Sequence, residues 1–411
     1  MNPMPLFVPA FLLEGDGQPI NLAVTMLIIF GSAKLLAELF ERLHLPGVAG
    51  EILAGILIGP SVLGWISPNE FTLTMAELGV LFLLFQVGLE VDASELMKVG
   101  GTAAIVGTLG VIVPFLGGWG LFQVWGRGQV ESIFLGTALT ATSVGISAQV
   151  LASKGLLHRT ASKIILGAAV IDDILALLLL GVVTSVAKGR LNWLELGLTA
   201  LSAVLFIALV ARWGGKMMSH VIPRLHETLR LGEAHFALAM VLLFGLAAAS
   251  TKVGVAAIIG AFLAGMALTQ ALPPRVHDLS HGVAELLVPF FLTNIGLHFK
   301  LSVFADRPMI LLALVIVPVA IFTKVLGCGL GASRFGRATA IRVGAGMIPR
   351  GEFCMVVAQV GLELRAISLE TYSLIVFMAI TVAVLTPPLL KLVFRGVLTE
   401  PPPQEESFRL G

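Results

Sequence analysis

The residues best suited to chemistry in this sequence are two adjacent carboxylates in an apolar run. Asp172 and Asp173 lie within GAAVIDDILALLLL, residues 167–180, where the other side chains are nearly all aliphatic. At membrane depth a carboxylate costs several kcal/mol unless it is protonated, paired or in contact with water. Adjacent helical residues point about 100° apart, so the two side chains meet different partners. Such groups usually mark an ion or proton path, with a salt bridge kept only for packing as the alternative.

Two lysines within apolar runs are the candidate positive partners. Lys324, in AIFTKVLGCGLG, has no carboxylate at helical spacing, so its partner must come from another span, and the Asp pair is the obvious one. Lys34 has Glu38 four residues further on. A local pair between Lys34 and Glu38, without a role in transport, is therefore expected.

Two further runs are polar in the middle where a membrane span is normally aliphatic. They are TALTATSVGISAQV, residues 137–150, and GAGMIPRGEFCMVVAQV, residues 344–360. Gly, Ser, Thr and Pro at such positions are expected where a helix is broken and its backbone groups face a cavity. For the first run, ordinary small-residue helix packing is an equal alternative. The second also carries Arg350 and Glu352, which are costly at this depth unless they are paired.

The elements that must position these residues are membrane helices. The chain has 411 residues, of which 57% are hydrophobic and 12% charged, and this composition excludes a soluble domain. About thirteen apolar runs are long enough to cross a membrane, allowing for tilt and broken helices. They lie near residues 20–40, 46–64, 74–91, 99–125, 131–153, 161–187, 191–222, 234–250, 254–270, 281–299, 308–332, 338–363 and 370–395. Residues 398–411 are rich in Pro and charge, which predicts a short disordered tail.

The distribution of Lys and Arg predicts the orientation of these spans. Most of these residues in loops and at span ends fall on one side of the membrane, which the positive-inside rule assigns to the cytoplasm. The N-terminus is then outside and the C-terminus inside. The odd number of spans also fits six spans, a linker and six spans, which is the geometry of an inverted repeat.

Several classes of chemistry do not fit the sequence. An intramembrane aspartic protease needs its two carboxylates on different helices, whereas this pair is contiguous. HETLRLGEAH, residues 226–235, lacks the His-Glu-x-x-His spacing of a metalloprotease, and no phosphate-binding Gly-x-x-x-x-Gly-Lys run is present. A gated cation channel remains an alternative function, although a channel has little need of a tight Asp-Asp-Lys cluster.

Taken together, the motifs resemble those of the monovalent cation:proton antiporters, especially the Kef-type and NapA-type branch. The resemblance rests on the Asp-Asp run, both polar runs, TKVLG and the early stretches LPGVAGEILAGILIGPSVLG and ELGVLFLLFQVGLEVD, and it covers essentially the whole chain. It implies an all-α polytopic membrane protein with the NhaA-like antiporter fold. In that fold a core bundle, residues 99–187 and 308–395, moves past a dimerisation bundle, residues 20–91 and 191–299. The fifth and twelfth spans are broken and cross at mid-membrane.

The resemblance also assigns roles to individual residues. Asp173 is similar to the carboxylate that binds the cation and the proton, and Asp172 to the neighbour that pairs with the core lysine, here Lys324. Thr142 and Ser143 fall at the break that supplies oxygen ligands. A charged pair that stabilises helix ends near the crossing matches Arg350 and Glu352.

Two departures from the Kef type favour sodium as the transported ion. Kef-type proteins carry Gln-Asp in place of Asp172 and Asp173, and they continue into a nucleotide-binding domain that this sequence does not contain. The resemblance thus implies a secondary antiporter, not an enzyme, that exchanges Na⁺ for protons by alternating access, with K⁺ and Li⁺ still open. A Kef-like K⁺ efflux protein and a gated cation channel are the alternatives. Expected partners are the lipid bilayer of a prokaryotic inner membrane and a second copy of the chain, and regulation by a separate soluble protein is left open. Neither a cofactor nor nucleic acid is expected.

Overall fold

The computed structural model describes residues 22–90, 101–143, 147, 151, 156, 159–187, 233–252, 257–269 and 273–395. Within these ranges the chain is helical, with no residue in a β-strand. The helices are α1 (Leu22–Arg42), α2 (Gly47–Ile58), α3 (Glu70–Glu90), α4 (Gly101–Val124), α5 (Gln129–Thr140), α6 (Thr160–Ala187), α7 (Ala234–Lys252), α8 (Ala257–Leu268), α9 (Pro274–His298), α10 (Arg307–Gly331), α11 (Arg337–Gly346), α12 (Glu352–Glu363) and α13 (Leu369–Val393). Short 3₁₀ turns occur at Leu301–Ala305 and Ser333–Phe335.

The prediction of an all-α membrane protein is confirmed. Among the described helices, seven are long and apolar enough to cross a membrane, namely α1, α3, α4, α6, α7, α10 and α13. The expected span at 191–222 and the tail at 398–411 lie outside the described residues. The total of thirteen spans and the inverted repeat therefore stay predictions.

Both breaks expected in the polar runs are present. Helix α5 ends at Thr140, and residues 141–143 are not helical. The run at 338–363 forms two helices, α11 and α12, separated by the non-helical residues 347–351. Pro349 lies in this second break, where its missing N–H and its ring do not interrupt a helix.

The described helices pack in two groups. Helices α1, α2, α3, α7, α8 and α9 form one group, in which α3 packs against both α8 and α9. Helices α4, α5, α6, α10, α11, α12 and α13 form the other, in which α4 packs against α5, α6 and α10. Helix α9 contacts α12 and α13 at the boundary between the groups. The first group falls within the predicted dimerisation ranges and the second within the predicted core ranges, and the functions of the two bundles stay predictions.

Glycines allow α4 and α10 to approach closely. A Cβ atom on Gly327 would collide with the carbonyl oxygen of Leu109, and one on Gly331 would lie 2.8 Å from Val106 Cα. Lipid tails are as apolar as aliphatic side chains, so close backbone packing through small residues is a main source of helix association in membranes. Since Lys324 lies one turn before Gly327, this contact holds the lysine against α4.

The predicted pair of Lys34 with Glu38 is wrong. Lys34 Nζ lies 3.2 Å from Glu51 Oε1 on α2 and 3.0 Å from Glu285 Oε2 on α9. Glu38 instead accepts a hydrogen bond from Arg42 Nε, at 2.8 Å. An i,i+4 pair on one helix is worth only about 0.2–0.5 kcal/mol, so two carboxylates on neighbouring helices outweigh it.

The contact between α4 and α10 predicts the effect of two glycine substitutions. We expect Gly327→Ala to destabilise the protein by about 1–3 kcal/mol, because its methyl group must push the backbone of α4 away. In the same pair of helices, Gly120→Ala is the control, since a Cβ there meets nothing within 4 Å. Thermal unfolding of both variants in detergent tests this expectation. Equal melting temperatures for the two would show that the close approach does not matter.

Candidate ion-binding site

The site is built around the end of helix α5 inside the protein. The last carbonyl groups of a helix have no intrahelical partner, and together they carry about half an elementary negative charge. Thr140 and Ala141 provide these carbonyls, and both residues are buried. Such a helix end in the interior requires donors from elsewhere in the fold.

Lys324 provides one of these donors. Its Nζ donates to the carbonyl oxygens of Thr140 (2.5 Å) and Gly110 (2.8 Å) and to both carboxylate oxygens of Asp172 (2.9 and 3.0 Å). Both side chains of the ion pair are fully buried. All four neighbours of this nitrogen are acceptor oxygens, which suits an ammonium group because its three N–H bonds only donate. A neutral amine would also need a donor for its lone pair, and none of these four groups is a donor. The Lys324–Asp172 pair implied by the resemblance is therefore formed, and the geometry suits a charged lysine.

Arg350 provides the second set of donors. Its guanidinium donates to the carbonyl oxygens of Ala141 (2.6 Å) and Ala320 (3.0 Å), and the side chain is only 1% exposed. Arg350 Nε has no hydrogen-bond partner among the described residues. The side chain of Glu352 lies outside the described part of the chain, so the predicted pair of Arg350 and Glu352 stays a prediction.

The two breaks lie against each other through Thr142 and Ser143. Ser143 N donates to Pro349 O (2.8 Å), and Thr142 Oγ1 lies 3.5 Å from Met347 O. A Cβ atom on Gly351 would lie 2.6 Å from Ser143 Cβ, so glycine is needed there for this contact. The Thr142 side chain also interacts with the Asp172 carboxylate. Thr142 and Ser143 are therefore brought to the same place as the ion pair.

Asp172 and Asp173 have different surroundings, as their spacing on a helix predicts. Asp172 faces Lys324 and is inaccessible, whereas Asp173 is partly exposed. Lys324 and Arg350 bring two positive charges to the site, and Asp172 offsets one of them. The partial charge of the α5 terminus and an ionised Asp173 are suited to offset the rest. The partly exposed Asp173 is thus the carboxylate that an arriving ion reaches more easily.

A cavity of about 650 Å³ extends from the protein surface to Ser143. Its walls belong mainly to α1, α2, α3 and α9, and they carry Lys34 with its partners Glu51 and Glu285. Glu38, Glu41 and Glu285 are exposed, whereas Glu51 is buried. The cavity offers water and cations a charged route from one face of the protein to the break in α5.

Sequence reasoning missed the backbone acceptors and Gly110. The Lys324 and Arg350 side chains donate to backbone carbonyl oxygens, and a carbonyl has no signature in the sequence. The carbonyls belong to Gly110, Thr140, Ala141 and Ala320. Gly110 also leaves space for the ion pair, because a Cβ there would lie 2.7 Å from Cys328 Sγ and 3.5 Å from both Asp172 Oδ1 and Lys324 Nζ. The break itself was the available signal, since an interrupted helix predicts unpaired carbonyls.

Comparison with known proteins identifies the family of the chain. The family model described as sodium/hydrogen exchanger, transmembrane, matches residues 26–396. The chain belongs to the sodium/hydrogen exchanger family. Membership places this exchanger among membrane transporters and not among enzymes, and it supports cation/proton antiport over the gated channel.

Individual relatives match the exchanger over most of their length. The Na⁺/H⁺-K⁺ antiporter GerN of Bacillus cereus is 35% identical over 375 residues, covering 89% of this chain and 95% of GerN. The high-affinity Na⁺/H⁺ antiporter NhaS3 of Synechocystis is 33% identical, covering 98% of each chain. The structure of the sodium proton antiporter MjNhaP1 from Methanocaldococcus jannaschii matches with a TM-score of 0.64 at 17% identity, covering 92% of this chain and 97% of that one. This likeness shows that the fold is shared.

The buried ion pair predicts a strong dependence of stability on both partners. We expect Lys324→Met to cost about 3–5 kcal/mol, because it leaves Asp172 as an uncompensated buried charge. The double variant Asp172→Asn/Lys324→Met should lose less than the sum of the two single variants, since neither charge remains. Melting temperatures of the four proteins in detergent measure this coupling.

Arg42→Met is the control for this cycle. Arg42 is also in a membrane helix and pairs with a carboxylate, but Arg42 and Glu38 are 76% and 58% exposed, so its loss should cost about 1 kcal/mol or less. Additive effects of Asp172→Asn and Lys324→Met would contradict an energetic coupling between the two side chains.

Proposed function

We propose that this exchanger moves Na⁺ against protons by alternating access, with Asp173 as the carboxylate that binds either ion. The observation that carries the proposal is the buried Lys324–Asp172 pair at the end of α5. This pair keeps Asp172 occupied, and its neighbour Asp173 is the more exposed of the two carboxylates. It also couples the ion site to the broken helix that forms its floor.

The oxygen atoms near the break are suited to a small monovalent cation. Carboxylate and hydroxyl oxygens are hard ligands, which suit Na⁺. Asp173 would provide the charge, and Thr142 and Ser143 would provide neutral oxygens. The cavity that reaches Ser143 supports this assignment, because it leads a hydrated ion to the break.

Exchange follows from the cost of moving an empty site. An ionised carboxylate without a counter-charge is expensive in a medium of low dielectric constant. The site therefore crosses the membrane with Na⁺ or with protons bound, and not empty. In each transport cycle the site therefore carries Na⁺ in one direction and protons in the other.

Alternating access would take place at the boundary between the two helix groups. In this proposal the group of α4, α5, α6 and α10–α13 is the core bundle that carries the ion, and the other group forms a homodimer in the membrane. The cavity at Ser143 is lined by Glu38, which pairs with Arg42 on the face that the positive-inside rule assigns to the cytoplasm. A prokaryotic inner membrane is the proposed location, with a separate soluble regulator as a further possible partner of the cytoplasmic face.

Potassium is the second candidate cation. GerN, the relative from Bacillus cereus, is named a Na⁺/H⁺-K⁺ antiporter, whereas NhaS3 is named for Na⁺/H⁺ exchange alone. Sodium is preferred because both names include it and because Asp172 stands where the Kef type has Gln. Li⁺ shares the same hard-ligand chemistry and belongs in the same test.

Transport in proteoliposomes tests the role of Asp173. Vesicles are loaded with acid and a pH-sensitive dye, and NaCl, KCl, LiCl or choline chloride is added outside. We expect Na⁺ to alkalinise the lumen and Asp173→Asn to abolish the response, because the variant lacks the charge that holds the cation. Asp278→Asn, at an exposed position of α9, is the matched control and should transport normally.

Three results of this experiment would be decisive. Loss of the signal only in Asp173→Asn supports the proposed site, and the most effective salt identifies the ion. A Na⁺ response that survives in Asp173→Asn would move the site elsewhere. If correctly folded wild-type protein responds to no cation, the proposed antiport is wrong.

The ion pair also predicts that transport is electrogenic. Na⁺ at Asp173, with help from Asp172, competes with Lys324 for the carboxylates and so favours loss of the lysine proton. Together with the proton from Asp173, two protons would exchange for one cation. With the membrane potential held at zero, net flux should stop when the sodium ratio equals the square of the proton ratio. Equality of the two ratios would instead indicate one-for-one exchange and reject this role of Lys324.

A further inference from the structure

Tyr372, in the first turn of α13, makes a hydrogen bond across the boundary between the two helix groups. Its side chain is fully buried, and its hydroxyl donates to the carbonyl oxygen of Ile295 on α9 at 3.0 Å. Helix α9 belongs to one group and α13 to the other. The bond therefore exists only while the two groups lie against each other at this point.

The way in which α9 ends explains why this carbonyl takes a partner from another helix. In a continuing helix the N–H of Phe299 would donate to Ile295 O, but it donates to Gly296 O instead, at 3.0 Å. Ile295 O is thus one of the terminal carbonyls that a helix leaves unpaired. Ile295 is fully buried, so loss of the Tyr372 bond would strand a buried acceptor. A stranded buried group costs more free energy than an ordinary hydrogen bond contributes.

The Tyr372 contact lies just beyond the cavity that reaches Ser143. On α9 this cavity is lined by the exposed Glu285 and the buried Leu292. Ile295 is about one turn beyond Leu292 and about 15 Å along the helix from Glu285. While the cavity is open at one face of the protein, this contact closes the boundary toward the opposite face.

The linker after α9 is fastened to both helix groups beside this contact. Ser61, which follows α2, donates its hydroxyl hydrogen to Phe299 O and accepts from Leu301 N at 3.3 Å. Lys300 N donates to Ser373 Oγ on α13 at 3.0 Å. These bonds place the Tyr372 contact in a part of the boundary that is held closed by hydrogen bonds as well as by packing.

Gln359 offers the Tyr372 hydroxyl a second acceptor. Its Oε1 lies 3.5 Å from the hydroxyl oxygen, and its Nε2 donates to Glu363 Oε1 at 2.9 Å, which turns the amide oxygen toward Tyr372. Gln359 belongs to α12, in the same helix group as α13, so it stays beside Tyr372 if the groups move, whereas Ile295 does not. A hydroxyl has one hydrogen to donate, and a choice between two acceptors makes it a two-position element.

We propose that Tyr372 is a positioning residue for exchange, which holds the boundary closed on one side of the membrane while the cavity at Ser143 is open on the other. This inference rests on the alternating access proposed above. When the groups move, the hydroxyl turns from Ile295 O to Gln359 Oε1, and the carbonyl meets water in the newly opened boundary. The bond to Ile295 thus stabilises the arrangement in which the Ser143 cavity is open, and its loss favours the opposite one.

Labelling of introduced cysteines in lipid nanodiscs, which leave both faces accessible, tests this role. Val376→Cys reports opening of the boundary near Tyr372, because Val376 is fully buried and one turn further on the same face of α13. Val288→Cys reports the Ser143 cavity, which Val288 lines. Each protein reacts with a charged methanethiosulfonate reagent, and wild type gives the background because Cys328 and Cys354 are buried.

We expect Tyr372→Phe to raise the labelling rate of Val376→Cys about tenfold relative to that of Val288→Cys, because the variant loses the bond but keeps the ring. Thr386→Val is the matched control. Thr386 is also a buried hydroxyl on α13, but it donates to Val382 O on its own helix at 2.7 Å, so the ratio of the two rates should not change.

Two results would overturn the role of Tyr372. They are an unchanged ratio in Tyr372→Phe, and faster labelling at both positions, which would indicate general loosening of the fold. Measurable labelling of Val376→Cys with native Tyr372 would still show that the boundary opens, so alternating access would survive either result. If Val376→Cys is never labelled in any of these proteins, the boundary does not open there, and both the alternating access and the role of Tyr372 are wrong.

Discussion

The rest of the site depends on how the protein neutralises a helix end in its interior. Helix α5 stops at Thr140, and its terminal carbonyls carry partial negative charge where no bulk water is available. Lys324 and Arg350 supply the donors. Two buried, positively charged side chains in turn require negative charge nearby, and this requirement explains the carboxylate at position 172. The close approach of α4 and α10 through glycines is what lets Lys324 reach both the helix end and Asp172.

This balance of charge connects structure with transport. Asp172 offsets one of the two cations and is fully buried, whereas Asp173, on the adjacent edge of α6, is partly exposed. In the proposed mechanism, an ion at Asp173 therefore acts on a nearly balanced cluster, in which a change at one carboxylate affects Lys324 through Asp172. Such coupling at short range in a low dielectric is stronger than any contact between exposed charges. The cavity that reaches Ser143 brings water-accessible oxygens close to this cluster.

Sequence reasoning succeeded where the cost of a residue is local and failed where partners are distant. Polar residues inside apolar runs correctly indicated both helix breaks, because the free energy of a buried polar group depends on its own chemistry. Lys324 has no carboxylate at helical spacing, and this correctly predicted that its partner lies on another helix. The same argument from spacing misplaced Lys34, because Glu38 was available on its own helix but Glu51 and Glu285 were brought closer by packing.

The sequence by itself determined the membrane class, the helical content of the described spans, the positions of both breaks and the residues able to carry charge at depth. Hydrophobicity and helix-breaking residue types decide these properties over short stretches of chain. The tertiary structure alone decided which carbonyls receive Lys324 and Arg350, which of the two adjacent aspartates is sealed off, and which carboxylates surround Lys34. Backbone acceptors are the same in every residue, and their availability follows from where a helix ends and what packs beside it. Most of those contacts join segments more than a hundred residues apart, so only the packed fold specifies them.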